Sequence, residues 1–108
     1  MRKDRDIFRA IADPTRRQII SMLSEEVLTV NGIASQFKDI SRPAVSKHVK
    51  ILTEAGLVEI HQEGRERFCY IQAEPLKEVS DWISQYEHFW NAKMDNLGAY
   101  LKNKYEKK

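Results

Sequence analysis

The stretch SRPAVSKHVKILTEAGLV, residues 41–58, decides the fold because it contains a helix with both ends marked and a strand directly after it. Ser41 is a good N-cap, and Pro43 falls in the first turn, where a missing N–H costs nothing. Gly56 is the expected left-handed residue that ends the helix. The sequence therefore predicts a helix between Ser41 and Gly56, followed by an extended segment.

One face of this helix is apolar and the remaining surface is cationic. Val45, Val49 and Leu52 recur at spacings of four and three, so they share one buried stripe. No acid occurs between residues 41 and 53, so the only charged side chains there are the cations Arg42, Lys47 and Lys50. A short helix with a cationic exposed face is typical of an element that lies in a DNA groove.

Shorter helices are predicted before this segment. Asp13 can cap one of them, because a proline follows it at the first helical position. Thr29 is the predicted N-cap of the next, which continues at helical spacing to Phe37. A turn of about three residues, 38–40, then leads into the cationic helix. This arrangement predicts a helix-turn-helix over residues 29–55.

Two short strands and a polar loop are predicted after Gly56. Apolar and polar residues alternate from Val58, and residues 68–71 are rich in aromatic and β-branched side chains. The intervening segment 62–66 contains a glycine and suits a hairpin loop of three to five residues. Residues 57–72 thus form a predicted β-wing. The predicted fold is mainly α with a small β-hairpin, a winged helix-turn-helix.

The C-terminal third predicts one long helix over residues 75–105. Its apolar residues recur at spacings of three and four, and its length exceeds the mean helix about twofold or more. Aromatic residues widen the stripe beyond what a small domain usually buries, so a two-fold dimer is expected to cover it, together with the first helix. The alternative is that the helix packs back on its own domain. The expected interface residues are Ile7, Phe8, Ile11, Val79, Trp82, Ile83, Tyr86, Phe89, Trp90, Met94 and Leu97.

Length, charge and cysteine content bound the protein class. A chain of 108 residues with a formal charge of +2 predicts one domain, 1–108, of ordinary composition. The single cysteine, Cys69, excludes an intrachain disulfide and any zinc site with two thiolates from one chain. The sequence has neither a long apolar run nor the apolar segment of a signal peptide, so we expect a cytoplasmic protein without membrane insertion.

Double-stranded DNA is the ligand that these elements predict. The expected contact residues are Ser41, Arg42, Pro43, Ala44, Ser46, Lys47, His48, Lys50, Arg65 and Arg67. Arg42 and Lys47 are expected to meet base edges or phosphate, and Lys50 and the wing arginines to meet phosphate. His48 lies between the buried stripe and the exposed face, which leaves packing and DNA contact as equal alternatives. Arg16 and Arg17 either reach phosphate or pair with a neighbouring acid such as Asp13.

Several motifs resemble those of the ArsR-type winged-helix repressors. They are DPTRR at 13–17, SRPAVSKH at 41–48, EAGLV at 54–58 and the Gly64–Arg65 wing. The terminal pattern of Trp82, Tyr86, Phe89, Trp90, Leu97 and Leu101 is similar to a subgroup related to autorepressors. The resemblance implies a homodimer that represses transcription by covering a palindromic operator. It also implies release from DNA by an effector, here of unknown identity.

The chain departs from the metal-sensing members of that family. Those members often carry a cysteine pair in the third helix, but residues 28–34 contain no thiol or imidazole. An alternative site on the terminal helices needs several ligands, and only His88 stands there beside Glu87 and Asp95. We therefore expect no metal site and no cofactor.

Other functional classes remain as alternatives. The sequence contains no nucleophile elbow, phosphate-binding glycine loop or paired-histidine metal motif, so an enzyme is not expected. A rival reading is a protein-interaction module that uses the aromatic terminal helix to hold a different protein partner. A second is a metal-responsive or redox-responsive repressor, although Cys69 fits an ordinary half-buried thiol better than a redox centre.

Overall fold

The computed structural model describes residues 6–106, and the chain divides after Lys77 into two units. The single domain predicted from the sequence stays a prediction. The first unit carries the helix-turn-helix and the sheet, and the second consists of helices alone.

The helices of the first unit begin where capping residues end the extended chain. Asp13 caps one by accepting hydrogen bonds from the backbone N–H groups of Thr15 at 2.8 Å and Arg16 at 3.2 Å. Thr29 caps another by accepting from Gly32 N–H at 2.9 Å. Both caps are as predicted. The helices are α1 (Ile7–Ala10), α2 (Pro14–Glu25), α3 (Val30–Ala34) and α4 (Arg42–Glu54).

A three-stranded antiparallel sheet completes this unit. Its strands are β1 (Leu28–Thr29), β2 (Val58–Glu63) and β3 (Glu66–Ile71), in the order β1-β3-β2. Strands β2 and β3 pair from Val58 opposite Ile71 to Glu63 opposite Glu66, so the connection has only two residues. Its first residue, Gly64, has a φ of 64°, which is the type of conformation that a two-residue hairpin turn requires. The predicted loop of three to five residues is too long.

The core lies where α4 packs on α2, α3 and β2, and where α2 and α3 pack on β3. The stripe predicted for α4 is buried, with Val45 and Leu52 fully covered. Ile7 is also only 4% exposed, so it belongs to the core of its own chain and offers no surface to a partner. Phe8 and Ile11 are partly exposed. The placement of these three residues in a dimer interface stays a prediction, and the burial of Ile7 does not favour it.

The helix-turn-helix differs from the prediction in its middle. Helix α3 ends at Ala34 rather than at Phe37, and its last turn closes with backbone bonds such as Gln36 N–H to Ile33 O at 3.0 Å. The turn before α4 consequently runs over residues 35–41 instead of 38–40. Strand β1, which the sequence did not predict, lies directly before α3 and pairs with the central strand β3.

The predicted C-terminal helix is divided in the structure. A short 3-10 turn (Glu74–Leu76) precedes α5 (Lys77–Ser84), and α6 follows (Glu87–Glu106). Between them, Gln85 and Tyr86 donate backbone hydrogen bonds to carbonyls three residues earlier, which tightens and ends α5. The prediction of one continuous helix over 75–105 is thus wrong.

Large apolar side chains remain exposed on the helices of the second unit. Trp82 and Tyr86 stack edge to face with ring centroids 5.7 Å apart, yet Trp82 is 49% exposed. The exposed apolar residues of this unit are Trp82, Ile83, Tyr86, Phe89, Trp90, Met94, Leu97, Tyr100 and Leu101. An apolar surface of this extent indicates an interaction site.

Candidate nucleic-acid interface

Helix α4 is oriented by its buried stripe. Because Val45, Val49 and Leu52 are packed into the core, the side chains that fall on the other faces of the helix point to solvent. The predicted cations Arg42, Lys47 and Lys50 are all exposed. The structure therefore presents the positively charged face of α4 on the surface of the first unit.

Three guanidinium groups from separate elements surround one cleft beside α4. Arg42 comes from the first turn of α4, Arg65 from the hairpin turn and Arg67 from strand β3. The cleft has a volume of about 150 Å³ and is lined by Thr29, Val30, Asn31, Arg42, Ser46, Arg65, Glu66 and Arg67. Glu66 is the one acid in this lining, so positive charge dominates. Guanidinium groups carry several N–H donors in a fixed plane, which matches the oxygens of a phosphate.

Asn31 orients Arg42 at the edge of this cleft. The Nε of Arg42 donates a hydrogen bond to the Asn31 side-chain oxygen, which links the first turn of α4 to helix α3. The η nitrogens of Arg42 are not engaged by this bond and remain as donors. Sequence reasoning missed Asn31, because nothing local indicates that a residue eleven positions earlier would lie beside Arg42.

A second, more apolar groove adjoins the cleft, because Ser46 and Arg67 line both. It has a volume of about 350 Å³ and is lined by Val30, Ser46, Val49, Lys50, Thr53, Ile60 and Arg67. The groove lies between α4 and the sheet, and Lys50 lines it. The structure thus brings Arg42, Ser46, Lys50 and the two wing arginines onto one continuous surface.

The N-terminal end of α4 is built by Ser41, Pro43 and Ala44. The Ser41 hydroxyl oxygen accepts a hydrogen bond from Ala44 N–H at 3.3 Å, as predicted for an N-cap. The hydroxyl hydrogen of Ser41 remains available as a donor. Pro43 is exposed and Ala44 is half-buried, so the end of the helix presents small side chains that permit close approach.

His48 does not belong to this surface. Its side chain is 22% exposed and turns toward α2, where Nδ1 lies 3.1 Å from Nη1 of Arg16 and 4.0 Å from Oδ2 of Asp13. Of the two predicted alternatives these contacts favour packing, and a DNA contact by His48 stays a prediction. The reason is geometric, because a residue three after Val45 and one before Val49 lies at the margin of the buried stripe.

Arg16 and Arg17 both hold the end of α1. Nε of Arg16 donates to the Ala10 carbonyl at 2.6 Å and its Nη2 to the Arg9 carbonyl at 3.3 Å. Nη1 of Arg17 donates to the carbonyls of Ile11 at 2.8 Å and Ala12 at 3.1 Å. These bonds give side-chain partners to carbonyls at and just after the end of the short helix, of which that of Arg9 also accepts from Ala12 N–H at 3.2 Å. The sequence predicted that these arginines contact phosphate or pair with an acid. The hydrogen bonds to backbone carbonyls correspond to neither role.

The carboxylate of Asp13 lies beside this cluster, and its pKa is shifted. Desolvation opposes its ionisation, but the N–H groups of Arg16 and Thr15 and the charge of Arg16 outweigh it, and a protonated His48 adds to the same effect. Together they hold the pKa of Asp13 below its ordinary value. Asp13 is therefore a charged cap of α2.

Cys69 lies in the central strand with no exposed surface. Burial raises the pKa of its thiol above the ordinary value, and the charge of Arg67 offsets this only in part. A buried thiol with a raised pKa is poorly nucleophilic. Within residues 6–106, no three His, Cys, Asp or Glu side chains come together as a metal site would need. None of the helices in this range is long and apolar enough to cross a membrane.

A cationic helix held beside an arginine-bearing β-hairpin defines a winged helix-turn-helix protein. The chain matches a family model described as a helix-turn-helix domain over residues 11–61. It is 33% identical over 78 residues to the transcriptional repressor SdpR of Bacillus subtilis (strain 168), covering 72% of this chain and 86% of that protein. It is 37% identical over 84 residues to the uncharacterised HTH-type transcriptional regulator MJ1325 of Methanocaldococcus jannaschii, covering 77% and 93%.

A solved structure shows the same architecture. The ArsR family transcriptional regulator RHA00566 superimposes with a TM-score of 0.69 at 38% identity, over 79% of this chain and 87% of that chain. The protein belongs to the ArsR family of helix-turn-helix transcriptional regulators, and it is a DNA-binding regulator. The predicted fold class and the predicted family are both confirmed.

Proposed function

We propose that the protein is a homodimeric repressor that binds a palindromic operator through α4 and the wing. The observation that carries this proposal is the cleft in which Arg42, Arg65 and Arg67 meet beside the exposed face of α4. A phosphate in this cleft would receive donors from both the helix and the hairpin. Lys47, exposed on α4, is the candidate for base-edge contact, where a good bidentate pair contributes about 1–3 kcal/mol of discrimination.

The second unit supplies the proposed dimer interface. On α6, Trp90, Met94, Leu97 and Leu101 follow one another at spacings of four, three and four, so they form one stripe. Phe89 lies about 100° away from Trp90 around the helix and has the ammonium of Lys93 5.5 Å from its ring centroid. A second copy of the chain offers the same stripe, and two-fold pairing would cover both. Phe8 and Ile11 are further candidates from α1.

A dimer gives the DNA-binding units a defined spacing. Two recognition helices about 34 Å apart reach successive major-groove faces of a two-fold symmetric site. An effector that alters this spacing would weaken operator binding, and by linkage it would itself bind less tightly to the DNA complex. The absence of thiol and imidazole groups from residues 28–34 supports an effector other than a soft metal ion. The terminal aromatic pattern supports the subgroup related to autorepressors, and a cytoplasmic location fits this role.

DNA binding with a steep salt dependence is the decisive test. Fluorescence anisotropy is measured with a labelled fragment of the DNA upstream of the gene. The logarithm of the association constant should fall linearly with the logarithm of the salt concentration, with a slope of about −0.9 for each phosphate contacted. Arg67→Ala should lower this slope by about one, and Lys102→Ala, which removes the same charge from α6, should leave it unchanged. Binding that is absent at low salt, for folded dimeric protein, would refute the proposal.

A protein-interaction module remains the second candidate, because the exposed aromatic surface of the second unit could hold a different protein. The two functions differ in solution. A monomer that shows no salt-dependent DNA binding supports the interaction module, whereas a dimer with such binding supports the repressor.

A further inference from the structure

Arg16 is the residue through which three elements of the first unit meet. Its guanidinium belongs to α2, donates to two carbonyls at the end of α1, and reaches His48 on α4 with Nη1 3.1 Å from Nδ1. The stripe of Val45 and Val49 fixes how deeply α4 packs, but apolar contacts are not directional. The Arg16–His48 hydrogen bond adds a directional contact on one side of the recognition helix.

The chemistry of this hydrogen bond fixes the protonation of His48. Arginine has N–H donors and no acceptor, so Nδ1 of His48 must be the acceptor and must carry no proton. The neutral ring therefore has its hydrogen on Nε2. A protonated ring would place an N–H donor and a positive charge against the guanidinium, and the contact would be lost.

We propose that Arg16 and His48 are positioning residues that hold the recognition helix in its DNA-binding orientation. Arg16 acts through His48 and contacts no phosphate. The side chains that face His48 from α2 are Arg16 and Asp13, whose Oδ2 lies 4.0 Å from Nδ1. From α1, the carbonyl of Arg9 holds the guanidinium in place.

This inference rests on the proposed DNA-binding function and deepens it. Lys47 precedes His48 directly, so a change in the rotation of α4 at His48 also displaces Lys47 from the groove. Misplacement of a contact residue weakens specific binding more than nonspecific binding, which depends on charge alone.

The first experiment compares Arg16→Ala with Arg17→Ala. Both variants remove one positive charge and the hydrogen bonds to carbonyls near the end of α1, but only Arg16 reaches α4. Operator affinity is measured by anisotropy over a series of salt concentrations, at a temperature where thermal unfolding shows each variant to be folded. Arg16→Ala should weaken operator binding about tenfold, the value of one hydrogen bond to a charged group, and should keep the wild-type salt slope. Arg17→Ala should bind like the wild type.

The second experiment replaces His48. In His48→Asn the side-chain oxygen can take the place of Nδ1 as acceptor, whereas His48→Leu has none. His48→Asn should retain operator affinity and His48→Leu should lose about tenfold.

The outcomes separate this inference from the proposed function. If the wild type binds no DNA, the proposed DNA-binding function is refuted, and the role of Arg16 and His48 is refuted with it. If the wild type binds and Arg16→Ala lowers the salt slope by about one, Arg16 contacts phosphate and the positioning role is overturned. Equal losses in Arg16→Ala and Arg17→Ala, or equal affinities of His48→Asn and His48→Leu, would each overturn it as well.

Discussion

Removal of the Trp90 side chain is the sharpest test of the proposed dimer. Trp90 is 57% exposed in the single chain and lies on the stripe with Met94, Leu97 and Leu101. A tryptophan presents up to about 250 Å², so roughly 140 Å² is available for a partner to cover. At about 25 cal/mol per Å² this area corresponds to about 3.5 kcal/mol for each protomer. Because a two-fold dimer contains both copies, Trp90→Ala should raise the dimer dissociation constant at least a hundredfold.

Sedimentation equilibrium over a range of protein concentrations measures this constant directly. Phe89→Ala is the matched control, since Phe89 is 54% exposed on the same helix but lies outside the stripe. It should change the dissociation constant by less than about tenfold, because its aromatic ring does not belong to the proposed contact. An unchanged dissociation constant in Trp90→Ala, or an equal loss in both variants, would refute the assignment of this stripe to the interface.

Three further predictions concern the first unit. Leu52 is fully buried under α4, so Leu52→Ala should lower the free energy of unfolding by about 2–5 kcal/mol in urea titrations followed by circular dichroism, and a loss below about 1 kcal/mol would contradict its place in the core. Gly64 has a φ of 64°, and a methyl group at its Cα would meet no described atom within 4 Å, so Gly64→Ala should cost only the backbone strain, about 1–2 kcal/mol, in the same measurement. The pKa of Asp13 is lowered in the folded protein, so its ionised form contributes stability above the unfolded pKa and loses it as the pH falls through the folded value. Asp13→Asn keeps a good cap without this titration, so the stability difference between wild type and variant should shrink between about pH 5 and pH 2; a difference that does not change with pH would argue against the shift.

The helix-turn-helix was predictable because its signals are local. Ser41 and Gly56 mark the ends of α4, and the buried stripe between them has the period of a helix. The same holds for the cap at Asp13. The family motifs coincide with these caps and stripes, so the residues that define the fold also carry the resemblance.

The features that the sequence did not reveal depend on contacts between distant residues. Strand β1 consists of Leu28 and Thr29 alone, which is too short to show an alternating pattern, and it exists because β3 pairs with it. The break after Ser84 involves neither glycine nor proline, so no helix-breaking residue announces it. The role of His48 depends on Arg16, which lies 32 residues earlier.

The double role of Thr29 has a mechanical consequence. This residue is the last of β1, opposite Phe68 on β3, and its hydroxyl oxygen also begins α3 by accepting from Gly32 N–H. Any bending of the hairpin against a DNA backbone is therefore passed directly through Thr29 to the start of the helix pair. The hairpin and the helices should therefore move together as one rigid body, and flexible residues inserted after Thr29 would let each move separately against the duplex.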